Sequence, residues 1–243
     1  MKVVALYCLH YGSEWLFWSM RSIKDFVDDI VVVYSPVPSH GHGTEARVPD
    51  DRDTLVHLAG RFDAKWTDIL GSRWEGEHRD EGASICESIG ADIVLVVDHD
   101  EIWEPEHLQQ SLEFVKETDA RDFRIPFQHY YRSVGWVCHD LAQPVRFHRL
   151  ADKGLAYVPG KFGKVHHYGY AQSSTLVDYK WKIHGHLGEL RPNWYQEKFL
   201  DWTPGMLDVH PTNLNFWNPE PFDRTQLVDL ISDHPYYSMD IIP

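Results

Sequence analysis

The segment that most constrains this chain is Ile93-Val94-Leu95-Val96-Val97-Asp98-His99-Asp100-Glu101, an unbroken apolar run that stops at three carboxylates around a histidine. A short Val/Ile/Leu run reads as a parallel strand covered on both faces, and open α/β sheets bind ligands beyond the carboxyl ends of such strands. Carboxylates there are costly unless a cation meets them. Asp98 and Asp100 therefore read as a metal-diphosphate site, one acid meeting a hard divalent ion and the other a polar ligand. The plainer alternative is an acidic turn before a helix that opens at Pro105 and Glu106 and turns Leu108, Leu112 and Val115 to the core.

The strand sits in an alternating pattern. Val3 to Leu9 is a strand, and a helix from Ser13, with Ser13 as its cap, places Trp15, Ser19, Ile23 and Phe26 at helical spacing. A second strand at Ile30 to Tyr34 completes a βαβ unit with a right-handed crossover. A third strand near Ala64 to Trp66 and a helix from about Asp80 to Ile89 lead into the acidic strand. The loop Pro36 to Gly43 is rich in breakers and reads as a ligand-covering loop, with His40 and His42 taken as solvated. After Thr118, short aromatic segments at Phe123 to Phe127, His129 to Tyr131, Val145 to His148 and Val165 to Tyr170 predict antiparallel or mixed strands extending the same sheet. A helix through Leu176, Tyr179 and Ile183 follows. The expected fold is an α/β/α sandwich with a mixed central sheet over residues 1–190. The aromatic-rich extension, residues 191–243, is expected to pack on it as the acceptor-side wall.

Composition narrows the function. No stretch approaches the roughly 20 apolar residues of a membrane span, and Met1 to Leu9 lacks the marks of a signal peptide, so a cytoplasmic location is expected. The three cysteines, Cys8, Cys86 and Cys138, form neither a CxxC pair nor an even framework, which argues for reduced thiols and against thiolate-held zinc. A formal charge of -14 argues against a general grip on nucleic acid or an anionic membrane. No paired-ligand spacing of the HExxH type appears, so a histidine-built hydrolase ranks last.

In order and spacing, the first strand, the helix opened by Glu14-Trp15-Leu16, the strand closing on Tyr34-Ser35, Arg79-Asp80-Glu81-Gly82-Ala83 and then Asp98-His99-Asp100-Glu101 resemble the family 2 glycosyltransferases of the GT-A fold. The acidic stretch resembles their DxD motif. His167-Tyr168-Gly169-Tyr170, followed by Lys180 and Lys182, resembles the HxGY signature and basic helix of small bacterial and phage members. The resemblance implies transfer of a sugar from a nucleotide-diphosphate sugar, by family habit a UDP-sugar. It implies Asp100 and His167 as ligands to Mn2+ or Mg2+, and Asp98 on ribose or sugar hydroxyls. Arg79 with Lys180 or Lys182 would contact the phosphates, and Leu9, His10, Tyr11 and Ser35 would line the nucleobase pocket.

The chain departs from the pattern in carrying His99 where a small residue is usual, and in lacking an asparagine near Asp80 or Glu81. No motif position supplies the catalytic base; Asp140, Asp178 and Glu189 are candidates, and Glu189 is the one carried forward. Each residue also has a plain structural reading: His167 in a core strand, the two lysines as solvated helix charges, Arg79 paired with a neighbouring acid. The acceptor is left open among a protein side chain, a glycan and a small molecule, with a modified DNA base less natural for so acidic a chain. Two rival functions stand beside transfer. A nucleotidyltransferase would need a Gly-rich loop after the first strand, where Cys8 to Ser13 holds one glycine. A non-catalytic carbohydrate-binding protein would show no turnover of a donor.

Overall fold

The structure is a computed structural model, and it describes residues 1–38, 47–69, 74–149, 154–185, 187–212 and 216–243. His40 and His42, with most of their loop, lie outside the described residues.

The N-terminal half builds as its pattern dictates. Strands β1 (Val3–Leu9), β2 (Asp29–Tyr34), β3 (Lys65–Asp68) and β4 (Ile93–Val96) run parallel in the spatial order β4-β1-β2-β3. Helices α1 (Ser13–Ile23), α2 (Arg52–Gly60) and α4 (Pro105–Glu117) turn Leu16, Met20, Leu55, Leu108 and Leu112 onto one face. Helix α3 (Glu75–Ser88) covers Val4, Leu6, Val31 and Val33 on the other through Cys86. Both faces of these strands are thus buried, which is why they read as continuous apolar runs and not as alternation. Each fully buried Val, Leu or Ile contributes about 1.5–3 kcal/mol, so a charge placed at Leu6 would break this layer.

Two local expectations are corrected. Ser13 does not cap α1: Gly12 is the cap residue, and the Asp50 carboxylate, reaching from the segment before α2, accepts from the backbone N–H groups of Gly12 and Ser13. An acid at the positive end of the helix does the work of a cap from elsewhere in the chain. Helix α3 begins at Glu75, five residues before the expected start, because Glu77 reaches back to the Trp74 N–H and supports the first turn.

The larger correction concerns the aromatic segments, which divide between two sheets. Strands β6 (Asp122–Arg124), β9 (Val145–Arg149) and β10 (Leu155–Tyr157) extend the first sheet to seven strands, in the order β10-β6-β9-β4-β1-β2-β3, with β9 antiparallel to both neighbours. A separate five-stranded sheet joins β5 (Glu101–Ile102), β7 (Phe127–Tyr131), β8 (Ser133–Cys138), β11 (Val165–Tyr170) and β12 (Glu220–Pro221) in the order β12-β8-β7-β11-β5. Arg132, at φ 62°, links β7 to β8. Helix α5 (Ser174–Lys182) follows, capped by Ser173, whose hydroxyl accepts from the Leu176 N–H.

Residues beyond 190 pack against this second sheet. Leu227, Ile231 in helix α6 (Val228–Ile231) and Ile242 join Trp15, Tyr130 and Tyr168 in one cluster, while Trp194, Phe199, Trp202 and Trp217 join Tyr131 and Tyr170 in another. No helix among the described residues is long and apolar enough to cross a membrane.

Candidate active site

The turn Asp98-His99-Asp100 leaves β4, in the first sheet, and enters β5, in the second. A cavity of about 310 Å³ opens there, lined on one side by Cys8 of β1 with His10 and Tyr11 just beyond it, on another by Glu75, His78 and Arg79 of α3, and closed by His167, Lys180 and His184. It lies at the carboxyl ends of parallel strands, where this class of sheet binds ligands.

The two aspartates have different surroundings. Asp98 accepts a 2.6 Å hydrogen bond from Arg146 Nη2, with Arg79 Nη2 4.0 Å from its other oxygen. Desolvation opposes its charge, but the two guanidinium groups outweigh that and hold its carboxyl down at about 2. Arg146 Nε also donates to both oxygens of the fully buried Glu101 at 3.0 Å. Burial disfavours charge on Arg146, and Asp98 and Glu101 more than restore it, so the guanidinium stays charged. With two carboxylates sharing it, burial dominates at Glu101 and raises that carboxyl.

Asp100 is 2% exposed, and its Oδ2 accepts from Gln172 Nε2 at 2.8 Å and Lys180 Nζ at 3.2 Å. Burial opposes its charge, but Lys180 and the neighbouring imidazoles hold its carboxyl far below the usual range. The Nε2 atoms of His167 and His99 lie 3.6 Å from Oδ1 and 3.7 Å from Oδ2, beyond hydrogen-bond reach. His167 is oriented from behind, its Nδ1 sharing a 2.8 Å hydrogen bond with His129 Nδ1. Burial lowers His167 to about 4 and His129 well below its ordinary value, so both rings are neutral near pH 7. Gly169 is required by this packing: a Cβ there would stand 2.6 Å from His167 Cε1 and 3.1 Å from Lys180 Nζ.

The structure thus brings Asp98, Asp100, Arg79, His167, Lys180, His10 and Tyr11 together around one cavity. It does not bring four other expected residues there. Leu9 is 1% exposed within the core behind the wall. Ser35 is buried, donates from its hydroxyl to Val37 O, and meets the site only through its carbonyl, 2.8 Å from His10 Nδ1. Lys182, two residues beyond Lys180 on the helix, pairs with Asp178 and is not in the cavity wall. Glu189 lies in the short turn Leu187–Glu189, past Gly185, the last residue of the cavity wall.

Four participants escaped the sequence reading as site residues: Arg146, Gln172, His129 and Tyr179, whose hydroxyl lies 2.7 Å from His10 Nε2. Arg146 carried a usable signal as one of the few cations of an acidic chain, set beside Phe147 in the strand Val145–Arg149. The other three depend on pairing between segments far apart in the chain.

Among the described residues no group of three or more His, Cys, Asp or Glu side chains is arranged to hold a metal ion. Asp100 Oδ1 and His167 Nε2 stand 3.6 Å apart, wider than the roughly 3.0 Å between adjacent donors of an octahedral ion with bonds of about 2.1 Å, so sharing one ion requires the two side chains to close by about 0.6 Å. Phosphate oxygens and water complete such a shell in sites of this kind.

No protein-family model matches the sequence, and a search of curated proteins finds no match. Solved structures give remote likenesses. The chain is similar to Staphylococcus aureus TarS 1-349, with TM-score 0.46 and 14% identity over 75% of this chain and 64% of that one. To the same protein in complex with UDP-GlcNAc the TM-score is 0.37, at 18% identity over 54% of this chain and 35% of that one. To the 4-diphosphocytidyl-2C-methyl-D-erythritol synthase of Anaerococcus prevotii it is 0.44, at 10% identity over 73% and 95%. The chain spans less than two thirds of either TarS chain. With every TM-score below 0.5, the functional assignment rests on the geometry of the cavity.

Proposed function

We propose that this cavity binds the diphosphate of a nucleotide-sugar, UDP-linked by the family resemblance, and that the protein transfers the sugar to a nucleophile on an acceptor. The observation that carries the reading is the split environment of the acidic turn. Asp98 is paired with Arg146 and has Arg79 4.0 Å away, whereas Asp100 has one oxygen on Lys180 and Gln172 and the other facing a neutral imidazole. A carboxylate kept ionised beside a neutral imidazole is a receptor for a hard cation.

A Mn2+ or Mg2+ ion held by Asp100 and His167 would neutralise charge growing on the leaving diphosphate. The chain's own residues supply the rest. Lys180 and Arg79 face the cavity and place fixed positive charge beside the departing phosphates. Asp98, pinned by Arg146, offers an acceptor to ribose or sugar hydroxyls. His10 is locked between Ser35 O and the Tyr179 hydroxyl and forms a rigid wall on the β1 side.

A thermal-shift screen of the purified protein with UDP, GDP, dTDP and CMP compounds and their sugars, with and without Mn2+, tests the reading, since a ligand of the folded state must raise its apparent stability. A metal-dependent rise with one nucleoside diphosphate is expected. A rise with free sugars alone would transfer the site to a carbohydrate-binding protein.

A further inference from the structure

His167 is held by one bond that comes from outside the cavity. Strands β7 and β11 run parallel with His129 opposite His167, so both rings leave the same face of the second sheet, and their Nδ1 atoms meet at 2.8 Å. His129 is buried and is not part of the cavity wall. Phe127 packs against both rings, with centroids 5.8 Å from His129 and 5.5 Å from His167. Trp217, from the C-terminal extension, lies 4.7 Å from the His129 ring at an interplanar angle of 31°. Packing thus fixes His129, and through it the His167 ring, whose Nε2 faces Asp100 Oδ1.

The same bond governs where the protons sit. Both rings are neutral near pH 7, so each carries one proton, and one of the two lies between the Nδ1 atoms. When His129 donates, the His167 proton is on Nε2 and blocks that nitrogen as a ligand. When His167 donates, its Nε2 is bare toward Asp100, and the second proton is on His129 Nε2, a sealed atom with no hydrogen-bond partner among the described residues. Histidines that hold metals donate their other ring N–H to a fixed acceptor, which sets tautomer and ring direction. A phenylalanine at position 129 would fill the slot beside Phe127 and Trp217 without leaving a buried nitrogen unpaired. What the imidazole adds is an acceptor for His167.

We propose that His129 is a positioning residue for the candidate metal site: it accepts the Nδ1 proton of His167 and so presents a bare Nε2 to a divalent ion shared with Asp100. This rests on the metal-diphosphate reading above. His129 touches neither ion nor nucleotide and acts only through His167. Trp217 gives the aromatic extension a part in the same arrangement, because it packs on the His129 ring.

The test titrates UDP, with and without Mn2+, into wild type, His129→Phe and His129→Asn by calorimetry, with thermal midpoints confirming that each variant folds. Wild type should bind UDP more tightly when Mn2+ is present. His129→Phe should keep the metal-free affinity within about twofold and lose about tenfold of the affinity in Mn2+, the low end of the loss for the outer partner of a ligating histidine. His129→Asn, whose Oδ1 can take the same proton, should recover that affinity to within about threefold. Full Mn2+-dependent affinity in His129→Phe would overturn the proposal, as would equal losses in the two variants, since packing alone would then account for the residue. Ring-nitrogen NMR of the wild type with UDP and Mg2+ reads the same point without a variant. His167 should carry its proton on Nδ1 and His129 on Nε2, and the reverse arrangement would overturn the proposal. Equal binding of UDP by wild type with and without Mn2+ would instead remove the metal reading itself, and this inference with it.

Discussion

Asp98 and Asp100 are two residues apart yet belong to different structural neighbourhoods. Asp98 answers to the first sheet, through Arg146 on β9 and Arg79 on α3, and its charge is closed off by guanidinium groups. Asp100 answers to the second sheet, through His167 on β11 and Gln172 and Lys180 around α5, and keeps one oxygen facing a neutral ring. The difference separates two jobs that a short acidic motif merges in one dimension. The first acid and Glu101 with it tie the strand end to the sheet, while the second is held ready for a cation.

The largest expected effect breaks the first neighbourhood. Arg146→Ala removes the shared partner of Asp98 and Glu101 and leaves the acidic turn, with the ionised Asp98, without its guanidinium, so denaturant unfolding should show a loss of about 3–5 kcal/mol. A loss below about 1 kcal/mol would mean that the pairing carries little of the fold. In the second neighbourhood, Asp100→Asn keeps the shape and removes the charge. Mn2+-dependent nucleotide binding should fall by 100-fold or more, on the order of the 3 kcal/mol that a charge-assisted contact carries, with far-UV circular dichroism unchanged. Intact Mn2+-dependent binding in that variant would sink the metal assignment.

Sharper still is the contrast between two lysines two residues apart on the same helix. Lys180→Met should weaken nucleotide binding by about tenfold, and Lys182→Met should leave it within about twofold, because only Lys180 faces the cavity. Equal effects would mean that general helix charge is what matters.

A further effect is on stability against pH. Burial lowers His107, His167 and His234 to about 4, and lowers His129 well below its ordinary value. Below their ordinary value of 6.5 the unfolded chain takes up protons that the folded chain refuses. Stability should therefore be fully present above pH 6.5 and decline as pH falls toward 4, by up to about 1.4 kcal/mol per pH unit for each such ring. A flat thermal midpoint between pH 6.5 and 4 would contradict the neutral state assigned to His167.

The same division explains what the sequence could and could not disclose. Strands β1 to β4 are buried on both faces by local βα units, so Val3–Leu9 and Ile93–Val96 are written as plain apolar runs and read at once. The cavity walls at Arg79, Lys180 and His167 were legible because short motifs place them. The second sheet was not, since it joins β5, β7, β8, β11 and β12 across more than a hundred residues and its aromatic strands carry no alternation that distinguishes one sheet from two. Arg132, in the left-handed region between β7 and β8, gave no glycine to mark the turn. Choosing Lys180 over Lys182, and leaving Glu189 outside the cavity, depends on the direction in which α5 and the following turn leave β11, which spacing alone does not encode.

The most direct test of the central claim is a calorimetric titration of the wild-type protein with UDP in the presence and absence of Mn2+. The account predicts saturable binding that Mn2+ strengthens, as expected if the free oxygen of Asp100 and the neutral ring of His167 receive the ion. Absence of binding by UDP and every other nucleoside diphosphate, with or without Mn2+, would contradict it and return the Asp98 to Glu101 stretch to the role of an acidic turn joining two sheets.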